Sequence, residues 1–154
     1  MSTFDVTLPS DTEILMVRTF DAPRHLVRRA MSEPELLKRW LGGKRTTVTR
    51  VDNDQRVGGS YRQEFLNPDG STFFFTGTYS EVSDERIVHT ELFNGEPPPA
   101  IIESTLLEKS GKTVLSVLSR FPSKEIRDMV VATGMSDGAG ESYDALAALL
   151  PTLT

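Results

Sequence analysis

Cysteine is absent from this sequence, which excludes disulfide bonds, a thiol nucleophile and thiolate metal sites. A chain without cysteine suits a reducing compartment, so we expect a cytoplasmic protein. Histidine is nearly absent too: His25 and His89 lie too far apart in sequence for a zinc motif. The acidic run at 52–54 lacks the later ligands of a calcium loop. We therefore expect neither a metal nor a cofactor.

Several motifs and segments are also missing. No apolar run approaches the roughly 20 residues of a membrane span, and the N-terminus lacks the basic and apolar regions of a signal peptide. The glycine pairs at 42–43 and 58–59 match neither a phosphate-binding loop nor a dinucleotide fingerprint. No nucleophile elbow is present. These absences disfavour phosphoryl transfer, dinucleotide redox chemistry and serine hydrolysis.

Charge is distributed unevenly along the chain. The net charge is −5, yet residues 18–50 carry nine basic and only three acidic residues. Such a segment can meet an acidic ligand or protein partner, or it can be the solvated face of two helices. The acidic remainder and the lack of a nucleic-acid-binding motif argue against nucleic acid as a partner.

Strand patterns dominate the sequence. Residues 1–12 are polar and predict a flexible tail before a single domain at 13–154. Apolar and β-branched residues predict strands at 13–20, 46–54, 60–66, 72–82, 86–93, 100–108 and 112–121. Turn residues separate most of these strands, Asn67 to Gly70 most clearly. Short connections indicate an antiparallel sheet, and the proline-rich segment 94–99 is predicted to be a loop.

Helices are predicted in three places. Two short helices follow the first strand: Asp21 is expected to cap one, and Ser32 to Glu35 fits a capping box for the other. A further helical segment spans 124–133. At 137–150, an apolar stripe that includes Tyr143 and Leu146 predicts an amphipathic helix capped by Asp137. That helix must bury its stripe against the sheet, which makes the fold α+β.

A family resemblance appears in the order and spacing of these segments. Residues 18–24, 32–40, 56–61, 67–70, 77–86 and 134–142 resemble the family related to the activator of Hsp90 ATPase, within the START/Bet v 1-like or SRPBCC superfamily. The resemblance implies a helix-grip fold, in which a curved seven-stranded antiparallel sheet surrounds a long C-terminal helix beside an apolar cavity. The chain departs from the family at Leu41 and Ala139, where many relatives have tryptophan, and both changes reduce aromatic bulk near the expected cavity.

Alternation along the strands predicts which side chains line the cavity. Tyr61, Gln63 and Phe65 share one face, as do Phe73, Phe75, Gly77 and Tyr79. Aromatic walls with a few inward polar groups are typical of small-molecule sites. With the helical segments included, the candidate ligand-binding residues are Trp40, Tyr61, Gln63, Phe65, Phe75, Tyr79, His89, Met135, Ala139, Tyr143 and Leu146. The alternative interpretation is that these aromatic side chains simply fill the core.

Three functions remain compatible with the sequence. The favoured one is binding of a small lipophilic or amphipathic molecule between the sheet and the C-terminal helix. The second is protein interaction through the basic segment, of the Hsp90 co-chaperone kind. The third is an enzyme of the aromatase/cyclase or hydrolase kind, for which His89 and Glu91 are weak catalytic candidates and Gln63 would assist. An enzyme is the less favoured outcome. Apolar residues at Ile101, Leu107, Val114 and Leu118 suggest a homodimer through the outer sheet face.

Overall fold

One antiparallel sheet and a long C-terminal helix build this protein. The computed structural model describes residues 4–153. Within that range the strands are β1 Phe4–Thr7, β2 Glu13–Phe20, β3 Thr47–Asn53, β4 Ser60–Leu66, β5 Thr72–Val82, β6 Arg86–Phe93, β7 Glu96–Lys109 and β8 Lys112–Arg120. The helices are α1 Arg24–Ala30, α2 Pro34–Trp40, α3 Lys124–Ala132 and α4 Met135–Leu149, followed by a short 3₁₀ turn. The predicted α+β helix-grip architecture is confirmed.

The described sheet has eight strands in the order β1-β2-β8-β7-β6-β5-β4-β3, one more than the seven predicted. The additional strand is β1, which pairs with β2 so that Phe4 lies opposite Arg18. Residues 4–7 were predicted to belong to a flexible tail, and for them that prediction is wrong. A tertiary contact holds this strand in place, because the Phe4 ring packs edge-on against the Tyr143 ring with 5.7 Å between the ring centroids. Residues 1–3 of the predicted tail lie outside the described range.

Several predicted boundaries are also wrong. β7 begins at Glu96, opposite Phe93, so the prolines at 97–99 lie at the start of a strand rather than in a loop. Asp21 and Ser32 do not cap their helices, since the N-cap residues are Pro23 and Glu33. α4 begins at Met135 rather than Asp137, directly after Gly134 turns the chain with a φ of 78°.

Strand alternation separates the sheet into two faces. The face packed against α4, called here the inner face, carries Ile14, Met16 and Phe20 from β2. α4 packs on β2 and on α2 and buries Tyr143 and Leu146. The Tyr143 ring stacks on Trp40 at 6.2 Å, and the Ser142 hydroxyl donates to the Leu41 carbonyl oxygen at 2.7 Å. These contacts fix the helix over one half of the sheet.

The outer face is crossed by a ladder of alternating charges. Arg120 on β8 is 3.1 Å from the Glu13 carboxylate on β2 and 2.8 Å from the Glu103 carboxylate on β7. Arg86 on β6 continues the ladder to Glu103 and to Glu81 on β5. Opposite charges on adjacent strands stabilise a sheet face and keep it polar. Of the apolar residues predicted there, Leu107 is strongly exposed and the other three are half-buried, so the homodimer stays a prediction.

Candidate ligand-binding site

Strands β4, β5 and β6 present inner-face side chains that remain partly open. Gln63, Phe75, His89 and Glu91 are only half-buried, and Phe93 is 54% exposed. On β2 and β8, by contrast, the inner face is almost completely buried. The sheet is therefore well covered on the side of β2 and leaves an accessible inner surface on the side of β4 to β6.

Four phenylalanines form an apolar cluster at one end of this surface. The rings of Phe65 and Phe73 stack at 4.9 Å, and Phe75 lies edge-on to both at 5.9 Å. Phe93 adds a contact of 5.5 Å with Phe75. The pairing of β4 with β5 and of β5 with β6 brings these rings together, since Phe65 lies opposite Phe73 and Phe75 opposite Phe93. The cluster supplies an apolar surface that includes one strongly exposed ring.

A small polar network lies next to the phenylalanines. The Tyr61 hydroxyl donates to the Thr90 carbonyl oxygen at 2.8 Å, and the same oxygen lies 2.9 Å from His89 Nδ1. The Tyr61 hydroxyl also lies 3.0 Å from Nδ1. A carbonyl oxygen can only accept, so the tautomer in which Nδ1–H donates to Thr90 leaves Nε2 as the acceptor of the neutral ring. Burial lowers the pKa of His89, and the Thr90 carbonyl partly opposes that shift. The neutral ring is thus favoured near neutral pH.

This network depends on an interruption in the β5–β6 ladder. Thr76 pairs with Leu92, and Tyr79 pairs with His89. Between these two pairs, the described strands show no pairing. The Thr78 N–H donates to the Thr90 hydroxyl at 3.0 Å instead of to a backbone carbonyl. Gly77 makes the arrangement possible, because a Cβ there would lie 1.9 Å from the Thr90 carbonyl oxygen and 2.6 Å from the Tyr61 ring. The glycine allows Tyr61 and the Thr90 carbonyl to meet.

Glu91 lies in this surface without a partner. Its side chain forms no hydrogen bond or ion pair with any residue in the range 4–153, and desolvation by burial raises the pKa of its carboxyl group to about 7. Burial is the main cause that raises the pKa of Tyr61 on β4 and of Tyr143 on α4. The negative charge of Glu91 raises both pKa values further. The carboxylate is therefore close enough to affect phenol groups of both the sheet and α4.

Two serines line the same inner face closer to its centre. Ser104 on β7 and Ser119 on β8 are buried, yet neither hydroxyl has a hydrogen-bond partner among the described residues. In that same range Arg18 Nε is the sole side-chain nitrogen or oxygen that is both sealed from solvent and unpartnered. The two serine hydroxyls must therefore contact space that water can enter. Because serine is small, these positions leave room above the sheet.

The structure distributes the residues predicted from sequence over four environments. Tyr61, Gln63, Phe65, Phe75, His89 and Glu91 form one continuous patch on β4 to β6. Trp40 and Leu146 belong to the core, and the Trp40 indole N–H donates to the Ala30 carbonyl oxygen at 3.0 Å. Tyr79 turns its hydroxyl toward Asn53 and Gln55 near the short helices. Met135 and Ala139 are half-buried on α4 beside Tyr143.

Sequence reasoning did not nominate five inner-face residues: Arg18, Phe73, Phe93, Ser104 and Ser119. Alternation with Phe75 was a signal for Phe73, and alternation with Glu91 for Phe93. The serines have no signal in the sequence, since small polar residues are common on exposed strands. From sequence alone, Arg18 is interpreted as an exposed basic residue. In the structure it is only 3% exposed.

Residues 4–153 contain no group of three or more His, Asp or Glu side chains placed to hold an ion. No helix within that range is long and apolar enough to cross a membrane.

Sequence comparison decides the family. The profile described as "Activator of Hsp90 ATPase homolog 1-like protein" matches residues 21–151. The chain belongs to this family. No curated protein matches the sequence. The resemblance seen in the order of the motifs is thereby confirmed, and strands β1 and β2 lie outside the matched region.

Solved structures show how this family member compares with others. A crystal structure from Rhodobacter sphaeroides shares 27% identity with a TM-score of 0.91, covering 97% of this chain and 99% of the other. A protein from Chromobacterium violaceum shares 31% identity with a TM-score of 0.78, over 92% and 98% of the two chains. DynU16, from the dynemicin biosynthetic locus, shows the same fold at 21% identity with a TM-score of 0.65, over 94% of this chain and 48% of its own.

Proposed function

We propose that this protein binds a small amphipathic molecule between the inner face of the sheet and α4. The observation that carries the proposal is the set of unpartnered inner-face polar groups beside the phenylalanine cluster. Buried polar groups in proteins are nearly always hydrogen-bonded, so each exception needs a partner from outside the chain, either water or a ligand. The Ser104, Ser119 and Glu91 side chains form no hydrogen bond within residues 4–153, and because none of their polar atoms is sealed from solvent, each can take such a partner.

The apolar part of the ligand has a matching surface. Phe73 and Phe75 are half-buried and Phe93 is 54% exposed, so their rings offer contact area that the chain itself leaves uncovered. Burying such area stabilises a complex by roughly 25 cal/mol per Å² before the cost of association. A ligand whose alkyl or aromatic part lies on these rings would place its polar head group near the polar side chains of β6.

Binding of the neutral lipophilic dye Nile red tests the proposal. We expect saturable binding near one dye per chain, followed by fluorescence and checked by native mass spectrometry. Ser104→Ile should weaken the binding at least about tenfold, because the larger side chain enters the space that the serine hydroxyl contacts. Thr105→Ile is the matched control, since residue 105 follows on the same strand and its side chain lies on the outer face.

Two outcomes would contradict the proposal. One is an absence of dye binding to the unmodified protein. The other is equal weakening by the inner and outer substitutions in folded variants, which would place the dye elsewhere. Circular dichroism of each variant establishes that it is folded before binding is compared.

A protein-interaction role draws less support. The basic segment 18–50 is largely neutralised by acids of the same chain, as in the pairs Arg29 with Glu33, Lys38 with Glu35 and Arg45 with Glu141. A surface whose charges are already paired offers little attraction to an acidic partner. Charge reversal at Arg28, Arg29, Lys38 and Arg39 that abolished capture of a partner would reverse this ranking.

An acid–base enzyme is the second candidate function, because Glu91 has a pKa of about 7 and lies one inward position from His89. Titratable groups with shifted pKa values in a cleft are frequent at active sites. Both groups share one accessible surface, and His89 Nε2 is free to accept a proton. Turnover of a bound ligand that is lost in both Glu91→Gln and His89→Gln would favour this function.

A further inference from the structure

Above neutral pH, Glu91 gives the inner surface a negative charge that no side chain in residues 4–153 pairs with. Ala100 pairs with Glu91 on β7, and His89 and Phe93 lie two residues away on β6. On β5 the pairs Thr76–Leu92 and Tyr79–His89 flank the unpaired stretch that contains Gly77 and Glu91. Tyr61 on β4 and Tyr143 on α4 are the phenols that its charge affects. Of these neighbours the titratable ones are His89 and the two tyrosines, and each is neutral near neutral pH.

Within residues 4–153, the buried cation near this surface is Arg18, and it already has an ionic partner. Arg18 donates from Nη1 to Asp144 Oδ1 at 2.8 Å, and its unpartnered Nε is sealed from solvent. Asp144 is the acid that compensates its charge, and Arg18 forms no ion pair with Glu91. An anionic head group would therefore meet an unbalanced carboxylate and no available cation in this part of the described chain.

Aromatic rings stand beside the carboxylate. Phe93 projects from the same face of β6 two residues on, and Phe75 lies opposite Phe93 on β5 at a ring separation of 5.5 Å. A cation next to such rings is attracted by their negative faces. A carboxylate flanked by phenylalanines thus favours a positively charged organic group over a hydroxyl or an acid.

We propose that the ligand of this site carries a protonated amine or a related organic cation, paired with the Glu91 carboxylate beside Phe75 and Phe93. The inference rests on the proposed function, since it assigns the head group of the same ligand. Burial of an unpaired carboxylate is unfavourable, and a cation offsets that cost through a charge-assisted hydrogen bond. The remaining apolar part of the ligand covers the phenylalanine rings.

Three probes that share one alkyl chain test the head group: octylamine, octanol and octanoate. Their affinities are measured by isothermal titration calorimetry on the full chain at a pH of about 8, where Glu91 is ionised. We expect octylamine to bind at least about tenfold more tightly than octanol, and octanoate to bind more weakly than both. Glu91→Gln should lower octylamine binding to the level of octanol, while octanol binding should change less than about threefold because glutamine still hydrogen-bonds a hydroxyl.

Glu81→Gln is the matched control. Glu81 is an exposed acid at the end of the outer charge ladder, and its substitution should leave all three affinities unchanged. A second measurement needs no variant. When the pH is lowered to about 5.5, octylamine stays protonated while Glu91 becomes neutral, so the preference for octylamine over octanol should fall several-fold in the unmodified protein.

The outcomes separate the two proposals. Equal binding of amine and alcohol, tighter binding of octanoate, or an amine preference that survives Glu91→Gln would overturn the cation assignment while a binding site remains. Failure of all three probes with retained Nile red binding overturns it as well. Failure of the probes together with Nile red overturns the proposed function itself.

Discussion

Arg18 on β2 and Asp144 on α4 form an ion pair of 2.8 Å that joins the sheet to the C-terminal helix. The two partners lie in different environments, since the Arg18 side chain is 3% exposed and that of Asp144 is 63% exposed. The arginine is held further by the Phe20 ring, which lies 5.4 Å from its guanidinium carbon. Its charge is buried at the boundary between core and accessible surface, and Asp144 is the acid that compensates it.

Asp144→Asn should destabilise the fold by about 1–3 kcal/mol, because it leaves the Arg18 charge buried without an ionic partner. This cost is lower than is usual for breaking a fully buried ion pair, since water screens the charge of the exposed partner. Urea unfolding measures the difference. Glu141→Gln on the same helix breaks the surface pair with Arg45 and should cost less than about 1 kcal/mol. Equal costs for the two variants would show that the burial of Arg18 carries no weight.

Gly77→Ala should be strongly destabilising, by more than about 2 kcal/mol, because its methyl group would overlap the Thr90 carbonyl oxygen and the Tyr61 ring. Relief requires the Thr90 carbonyl to move away from the Tyr61 hydroxyl and His89. We expect a lower midpoint of thermal unfolding together with a changed chemical shift of the His89 ring.

Gly138→Ala is the opposite case and provides the control. Gly138 lies inside α4, and a Cβ there would contact nothing within 4 Å. Alanine at a helical position stabilises by up to about 1 kcal/mol relative to glycine, partly by restricting the unfolded chain. A stabilising Gly77→Ala or a destabilising Gly138→Ala would each contradict the described geometry.

Glu91→Gln should stabilise the protein above neutral pH. The carboxyl pKa is raised from 4.5 to about 7 in the folded state, so the folded protein holds this proton more tightly than the unfolded chain. Stability therefore falls as the pH rises from the unfolded pKa through the folded pKa, by at most roughly 3 kcal/mol, and then levels off. The glutamine variant should lack this contribution, and its free energy of unfolding should depend less steeply on pH across that interval.

Glu81→Gln serves again as the reference for this measurement, because it removes an exposed acid. A pH dependence in Glu91→Gln as steep as that of the unmodified protein would contradict the shifted pKa. Denaturant unfolding at several pH values in one ionic strength gives the comparison.

The order of the strands, the two short helices and the long C-terminal helix were predictable from sequence. Alternation along β2 and β4 and the turn at residues 67–70 are local signals, and the apolar stripe on α4 has helical spacing. The helix starts were less predictable: Asp21, Ser32 and Asp137 are good capping residues that the structure does not use, because the surrounding chain places the first turns elsewhere. β1 was not predictable, since its pairing depends on β2 and its packing on Tyr143.

The sequence alone determined the alternation that places Tyr61, Gln63, Phe65, Phe75, His89 and Glu91 on one face. Only the tertiary structure separated Trp40 and Leu146, which belong to the core, from the side chains that line an accessible surface. It also decided that Glu91 has no partner in the described chain while Arg18 has one in Asp144. The reason is physical: burial and charge pairing depend on cross-strand register and on where α4 lies over the sheet, and neither is encoded in local spacing.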